Sequence, residues 1–132
     1  MTWVASLIGK PYAADGQGPD AFNCWALVRH ALKIGHGLEV PVLAMDTEEG
    51  WRAIGLRAKM AREWAVTAGR ARAGDILSMV GARRDLHVGL CLDSVRVLHT
   101  SADSGEARVQ RQQELRFLGF DRFEIWRHQC SI

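Results

Sequence analysis

The apolar pattern of this chain changes period near Asp75, and that change constrains the fold more than any other feature of the sequence. Before it, apolar residues recur at helical spacing. Trp3, Val4, Leu7 and Ile8 form one stripe of a short helix over 3–9, which Gly9-Lys10-Pro11 stops. After Cys24, residues Leu27, Val28, Ala31 and Leu32 follow at i+3, i+4, i+7 and i+8 and predict a helix over 24–34 ending in Gly35-His36-Gly37. Asp46 and Glu49 are spaced as a capping box for a further helix over 47–61, with Trp51, Ile54, Ala58 and Ala61 along one side. Beyond Asp75, short apolar runs and period-two alternation mark 76–80, 86–92, 96–100, 107–110 and 122–127 as strands of an antiparallel meander, with a further short strand at 63–67. Helices first and strands second predict an α+β fold, with N-terminal helices packed on a C-terminal antiparallel β-sheet. A length of 132 residues with 48% hydrophobic content suits one core, and hence a single domain over 1–132.

Charge and cysteine usage narrow the function classes. The formal net charge is +2, and acidic residues lie among the basic ones, so no groove for nucleic acid is marked. The N-terminus lacks the basic region and long apolar run of a signal peptide, and no apolar stretch is long enough to span a membrane. The expectation is a protein made in a cytoplasm without a signal peptide, with neither nucleic acid nor membrane as partner. The three cysteines, Cys24, Cys91 and Cys130, are odd in number and far apart, and no CxxC pair is present. That excludes a disulfide framework and a zinc-binding cysteine pair, and leaves at least one thiol free.

Cys24 stands where a loop rich in Gly and Pro, Gly16-Gln-Gly-Pro-Asp-Ala-Phe-Asn23, runs into the helix. A thiol in the first turn of a helix meets backbone N–H groups and the positive end of the helix dipole, which favour the nucleophilic thiolate. Cys91, inside a strand, and Cys130, in the C-terminal tail, read as inert. A nucleophile needs a base, and five histidines are available. His30 falls on the far side of the helix, His36 in the glycine cap and His128 near the end of the last strand, all positions of surface or capping histidines. His87 and His99 fall on consecutive strands joined near Asp93-Ser94. A three-residue loop over 92–94 would set His87 opposite His99 and Cys91 opposite Val95, with both imidazoles on one face and roughly 5 Å apart at Cβ. Cysteine, histidine and a second histidine then make a nucleophile, a base and an orienting group. The charged residues Arg83, Arg84, Asp85 and Asp103 lie on loops near these histidines.

Taken in order, these segments resemble the NlpC/P60 cysteine peptidases over nearly the whole chain. Ile8-Gly-Lys-Pro-Tyr12 is similar to the family's opening segment. Gly18-Pro-Asp-Ala-Phe-Asn-Cys-Trp-Ala-Leu-Val-Arg29 resembles its nucleophile motif in the phage-associated form, where Trp follows the cysteine. Arg72-Ala-Gly-Asp-Ile-Leu77 resembles its Gly-Asp strand entry, His87-Val-Gly-Leu90 its His-Val-Gly motif and Val97-Leu-His-Thr100 its third catalytic segment. The resemblance implies a papain-like fold, Cys24 as nucleophile, His87 as base and His99 as the residue that orients it. Tyr12 would stabilise the oxyanion with the Cys24 backbone N–H. It implies a peptidoglycan stem peptide as substrate, with a D-γ-glutamyl–diaminopimelate bond as target, and neither metal nor organic cofactor. The phage-like form suggests tail proteins as partners and action on the cell wall from a virion tail. The chain departs from the family's usual pattern at Asn23 (usually Asp), at Ala26 (usually Gly), at Leu86, and in Ala13-Ala-Asp-Gly16, which lacks the common Trp-Gly-Gly pattern. Asn23 can still cap the helix. The altered loop also fits a non-catalytic tail-assembly or wall-binding module, and the thioester chemistry fits an acyltransferase.

Overall fold

A computed structural model gives the structure of residues 2–40, 63–81 and 86–129. Among the described residues, two helices precede the sheet: α1 (Thr2–Ala5) and α2 (Cys24–His36). Strands β1 (Trp64–Thr67), β2 (Ile76–Val80), β3 (Leu86–Cys91), β4 (Arg96–His99) and β5 (Arg108–Arg111) follow, then α3 (Gln112–Phe117) and β6 (Asp121–His128). All strand pairs are antiparallel, in the order β1-β6-β2-β3-β4-β5. The α+β expectation therefore holds. The simple meander does not, because only β2 to β5 run as neighbours in sequence. β6 returns across the sheet to lie between β1 and β2, and α3 makes the crossing.

The helix α2 is longer than its apolar spacing predicts. Asn23 caps its start, with Oδ1 accepting from the Ala26 N–H at 2.8 Å, and Gly37 ends it in the left-handed conformation at φ 65°. Gly35 is thus inside the helix rather than its cap. A Cβ there would stand 2.5 Å from the Trp3 ring, so the missing side chain lets α1 pack against the end of α2. α1 itself is shorter than the stripe over 3–9, and Ile8 is exposed while Val4 and Leu7 are buried. The helix read over 47–61, the loop charges Arg83, Arg84 and Asp85, and Cys130 lie outside the described residues.

Both faces of the sheet carry a core. Leu27, Val28, Ala31 and Leu32 of α2 join Ile76, Val88, Leu90 and Leu98 in the larger one. Leu77, Met79, Cys91 and Val97, the alternate residues of the same strands, join Leu115 of α3 in the smaller. Alternation thus explains why these strands read as continuous apolar runs: they are buried on both sides.

Asp75 locks the entry to β2. Its carboxylate accepts from the Arg72 N–H at 2.8 Å and from Arg127 of β6, whose Nε lies 3.0 Å from Oδ1 and Nη2 2.8 Å from Oδ2. The Arg127 Nη2 also donates to the Arg70 carbonyl at 3.2 Å, so one side chain fastens β6 to the turn before β2. Asp75 is 2% exposed, and the fork–fork pairing leaves few of its lone pairs unused. Removing the arginine leaves a buried carboxylate without its counter-charge, which typically costs about 3–5 kcal/mol. Arg127→Ala is therefore expected to lower unfolding free energy by about that amount in urea titrations. A loss below about 1 kcal/mol would show that the pair does not hold β6 in place.

Candidate active site

The loop that leads into Cys24 is held by backbone pairing on two sides. Phe22 N–H donates to the Pro11 carbonyl at 3.1 Å and Ala13 N–H to the Phe22 carbonyl at 3.1 Å, which sets Tyr12 beside Phe22, two residues before the thiol. On its other side the Tyr12 N–H donates to the Gly105 carbonyl at 3.0 Å, and Ala107 N–H to the Lys10 carbonyl at 2.8 Å. The strand-like segment around Tyr12 thus bridges the loop before α2 and the turn after β4. The substitution at Asn23 has its own use. Besides capping α2, its Nδ2 donates to the Ala14 carbonyl at 3.2 Å, a bond that an aspartate could not donate. Cys24 is half-buried and packs against the core that contains Val88, Leu90 and Leu98, and α2 lies on β3 and β4, the two strands that carry the histidines. Cys91 is buried, and its thiol is pushed up to about 12, chiefly by burial and by the Asp75 and Asp93 carboxylates, so it stays protonated.

The structure brings His87 and His99 together, but in a register other than the one expected. β3 and β4 pair Leu90 with Leu98 and Cys91 with Val97, and the turn closes with Leu92 N–H donating to the Arg96 carbonyl at 2.9 Å. The loop is Asp93-Ser94-Val95, one residue later than the expected 92–94. The cause is the Asp93 carboxylate, which accepts from the Val95 N–H at 2.8 Å, the Arg96 N–H at 2.6 Å and the Arg96 Nε at 2.8 Å. These bonds, the backbone ones foremost, hold its pKa down at about 2. Asp93 therefore begins the turn instead of standing at its centre. His99 then faces Gly89 rather than His87, and the two histidines are diagonal neighbours on the same face.

The diagonal contact is close. His87 Nε2 lies 3.1 Å from His99 Nδ1, with the rings nearly perpendicular at 88°. Gly89 makes the room: a Cβ on it would stand 2.5 Å from Val97 Cγ1 and 3.2 Å from His99 Cβ. Two further residues complete the surroundings, and sequence reasoning missed both. Gln110 of β5 places Oε1 2.6 Å from His99 Nε2. Phe120, after α3, stacks on His87 with centroids 4.8 Å apart. Gln110 lies on a predicted strand, so alternation with the half-buried Val109 could have put it on the histidine face. No pattern in the sequence points to Phe120. Asp103 is exposed on the turn that Ser101 and Ser104 stabilise. His30, His36 and His128 contact Phe22, Trp3 and Trp64, respectively, in keeping with structural roles.

Both histidines are buried, His87 at 5% and His99 at 1% exposure. Burial, and then the neighbouring His99, push the His87 pKa down to about 3. Burial also lowers His99, aided by the Arg108 charge and opposed by the hydrogen bond to Gln110. Both imidazoles are therefore neutral near pH 7, the form a base requires. The unfolded chain takes up protons near 6.5, whereas the folded one resists until about 3. Stability is accordingly full above the unfolded value and falls as the pH drops through this window, with a slope of up to about 1.4 kcal/mol per pH unit for each such histidine. Urea titrations at pH 7 and pH 5 are expected to show the weaker fold at pH 5. A His87→Gln variant should flatten the dependence, and an unchanged slope would contradict the burial argument.

A family model described as the NlpC/P60 family matches residues 9–117, which include Tyr12, Cys24, His87, His99 and Gln110. Among solved structures, the fold is similar to the NlpC/P60 domain of the peptidoglycan hydrolase SagA, with 20% identity over 94% of this chain and 92% of that one, and a TM-score of 0.62. It is also similar to NlpC1 from Trichomonas vaginalis, with 16% identity over 96% of this chain and 42% of that one, and a TM-score of 0.68. The P60 domain of an antigen from M. avium subspecies paratuberculosis shares 22% identity over 92% of this chain and 86% of that one, with a TM-score of 0.53. No curated protein matches the sequence. The matched segment spans the helix that begins with Cys24 and the strands that carry both histidines, and on that match the chain belongs to the NlpC/P60 family of cysteine peptidases and peptidoglycan hydrolases.

Proposed function

We propose that this protein hydrolyses an amide bond in the stem peptide of peptidoglycan, with Cys24 as nucleophile, His87 as base and His99 as the residue that orients the base. The observation that carries the reading is the 3.1 Å contact between His87 Nε2 and His99 Nδ1. It occupies one imidazole nitrogen of His87 and leaves Nδ1 for proton transfer. In the first half-reaction the Cys24 thiol gives its proton to His87 as sulfur attacks the peptide carbonyl. The tetrahedral oxyanion is held by the Tyr12 hydroxyl and the Cys24 N–H, and each such donor typically lowers the barrier by about 2.7–4 kcal/mol. Collapse breaks the C–N bond, and His87 returns the proton to the leaving amine. In the second half-reaction His87 takes a proton from water, hydroxide attacks the thioester, and the proton goes back to sulfur.

Residues 1–132 are taken as one catalytic domain. The D-γ-glutamyl–diaminopimelate bond is the target this reading favours. Trp25, directly after the nucleophile, supports placing the chain in the phage-associated branch, with action on the cell wall from a virion tail.

Purified muropeptides of defined stem composition test the reaction, with products resolved by mass. Wild type is expected to release a fragment with a new amino terminus at diaminopimelate, and Cys24→Ala to release none. Absence of product with wild type, or equal product with Cys24→Ala, would overturn the enzyme reading. A product joined to an added amine would assign acyl transfer instead.

A further inference from the structure

The His87–His99 contact does not end at His99, and its continuation decides where the protons sit. His99 uses both ring nitrogens: Nδ1 toward His87 at 3.1 Å and Nε2 toward Gln110 Oε1 at 2.6 Å. A neutral imidazole carries one proton, so one of its nitrogens donates and the other accepts. Gln110 presents an amide oxygen, which only accepts. The His99 proton is therefore on Nε2, and Nδ1 carries the lone pair. His87 must then donate from Nε2, which strips the proton from its own Nδ1. With the opposite amide orientation every proton in the row would shift, His99 would donate from Nδ1, and His87 would carry its proton on the nitrogen that the reaction needs bare.

We propose that Gln110 is a positioning residue that sets the tautomer of both histidines, so that His87 presents an unprotonated Nδ1. It acts through His99 and touches no reacting atom. Its place on β5 suits this role. Gln110 pairs with Val97 across the sheet, diagonal to His99, just as His99 is diagonal to His87, so three strands carry one row of hydrogen bonds. His99 is faced by His87 from β3 and by Arg108 from β5, the latter 3.4 Å from Glu106. The Arg108 charge opposes protonation of His99 and so protects the one-proton state on which the row depends. An amide at 110 fits this better than a carboxylate. A carboxylate would favour doubly protonated His99, whose Nδ1–H would donate to His87 and force the His87 proton onto its Nδ1.

The kinetic arm of the test rests on the proposed peptidase reaction, while the spectroscopic arm does not, so the two can fail separately. Long-range proton–nitrogen correlation spectra of histidine-labelled wild type at neutral pH are expected to show both His87 and His99 protonated on Nε2. In Gln110→Met, which keeps the size and loses the acceptor, the His99 signals should show mixed tautomers. On muropeptides its kcat should fall about tenfold, with KM little changed. Gln110→Glu should add an acid limb to the pH–rate profile, with activity low at neutral pH and recovering as pH rises. Wild-type spectra with the His99 proton on Nδ1 would overturn the proposal even if no variant folds. Variants that fold with the wild-type tautomers and the wild-type pH profile would also overturn it.

Discussion

Gly89 is the constraint on which the site depends. It lies across from His99 in the β3–β4 hairpin, and a side chain there would collide with Val97 and crowd His99. With no Cβ in the way, the His99 ring reaches diagonally over β3 to the His87 ring. A directly opposed pair would not need this space, but the hairpin does not provide one. The Asp93 carboxylate gathers the N–H groups of Val95 and Arg96 and begins the turn one residue later than a symmetric loop around Asp93 would. The turn therefore fixes the register, the register places a glycine opposite the second histidine, and the glycine admits the hydrogen bond.

Burial then gives that bond its chemical meaning. His87 and His99 are almost fully enclosed, with Phe120 stacked on one ring and the smaller core beneath the sheet. An imidazolium in such a place is costly, so both rings remain neutral and each proton has one defined address. The rigidity comes from farther away. Arg127 ties the last strand to the Asp75 turn, so the neighbour of β2 cannot drift, and β2 in turn pairs with β3 along its whole length. The loop before Cys24 is fastened to the turn after β4 through the backbone around Tyr12. The loop before Cys24, the segment around Tyr12 and the strands that carry the histidines are thus parts of one hydrogen-bonded frame.

Much of this was legible in the sequence, and the parts that were not have a physical reason. Strand positions followed from apolar runs because the strands are buried on both faces, a strong local signal. The cap at Asn23 and the placing of two histidines on one face of a single hairpin were also readable. The register was not, because the side chain of Asp93 sets it and loop length alone allows several. α3 was missed because a six-residue helix with one buried residue, Leu115, has no periodicity to detect. The long α2 was underestimated because Gly35 looks like a stop, whereas its small size serves the Trp3 contact. Gln110 and Phe120 meet the histidines through tertiary packing, which strand and turn patterns do not encode.

The proposed reaction requires that Cys24 be coupled to His87. Alkylation of Cys24 by iodoacetamide at pH 7, followed by peptide mass mapping to separate it from Cys91 and Cys130, measures that coupling without any substrate. If His87 takes the thiol proton as sulfur attacks the iodoacetamide, wild-type Cys24 should label about 10²-fold faster than Cys24 in His87→Gln. Equal rates in the two proteins would contradict the assignment of His87 as the base of this site.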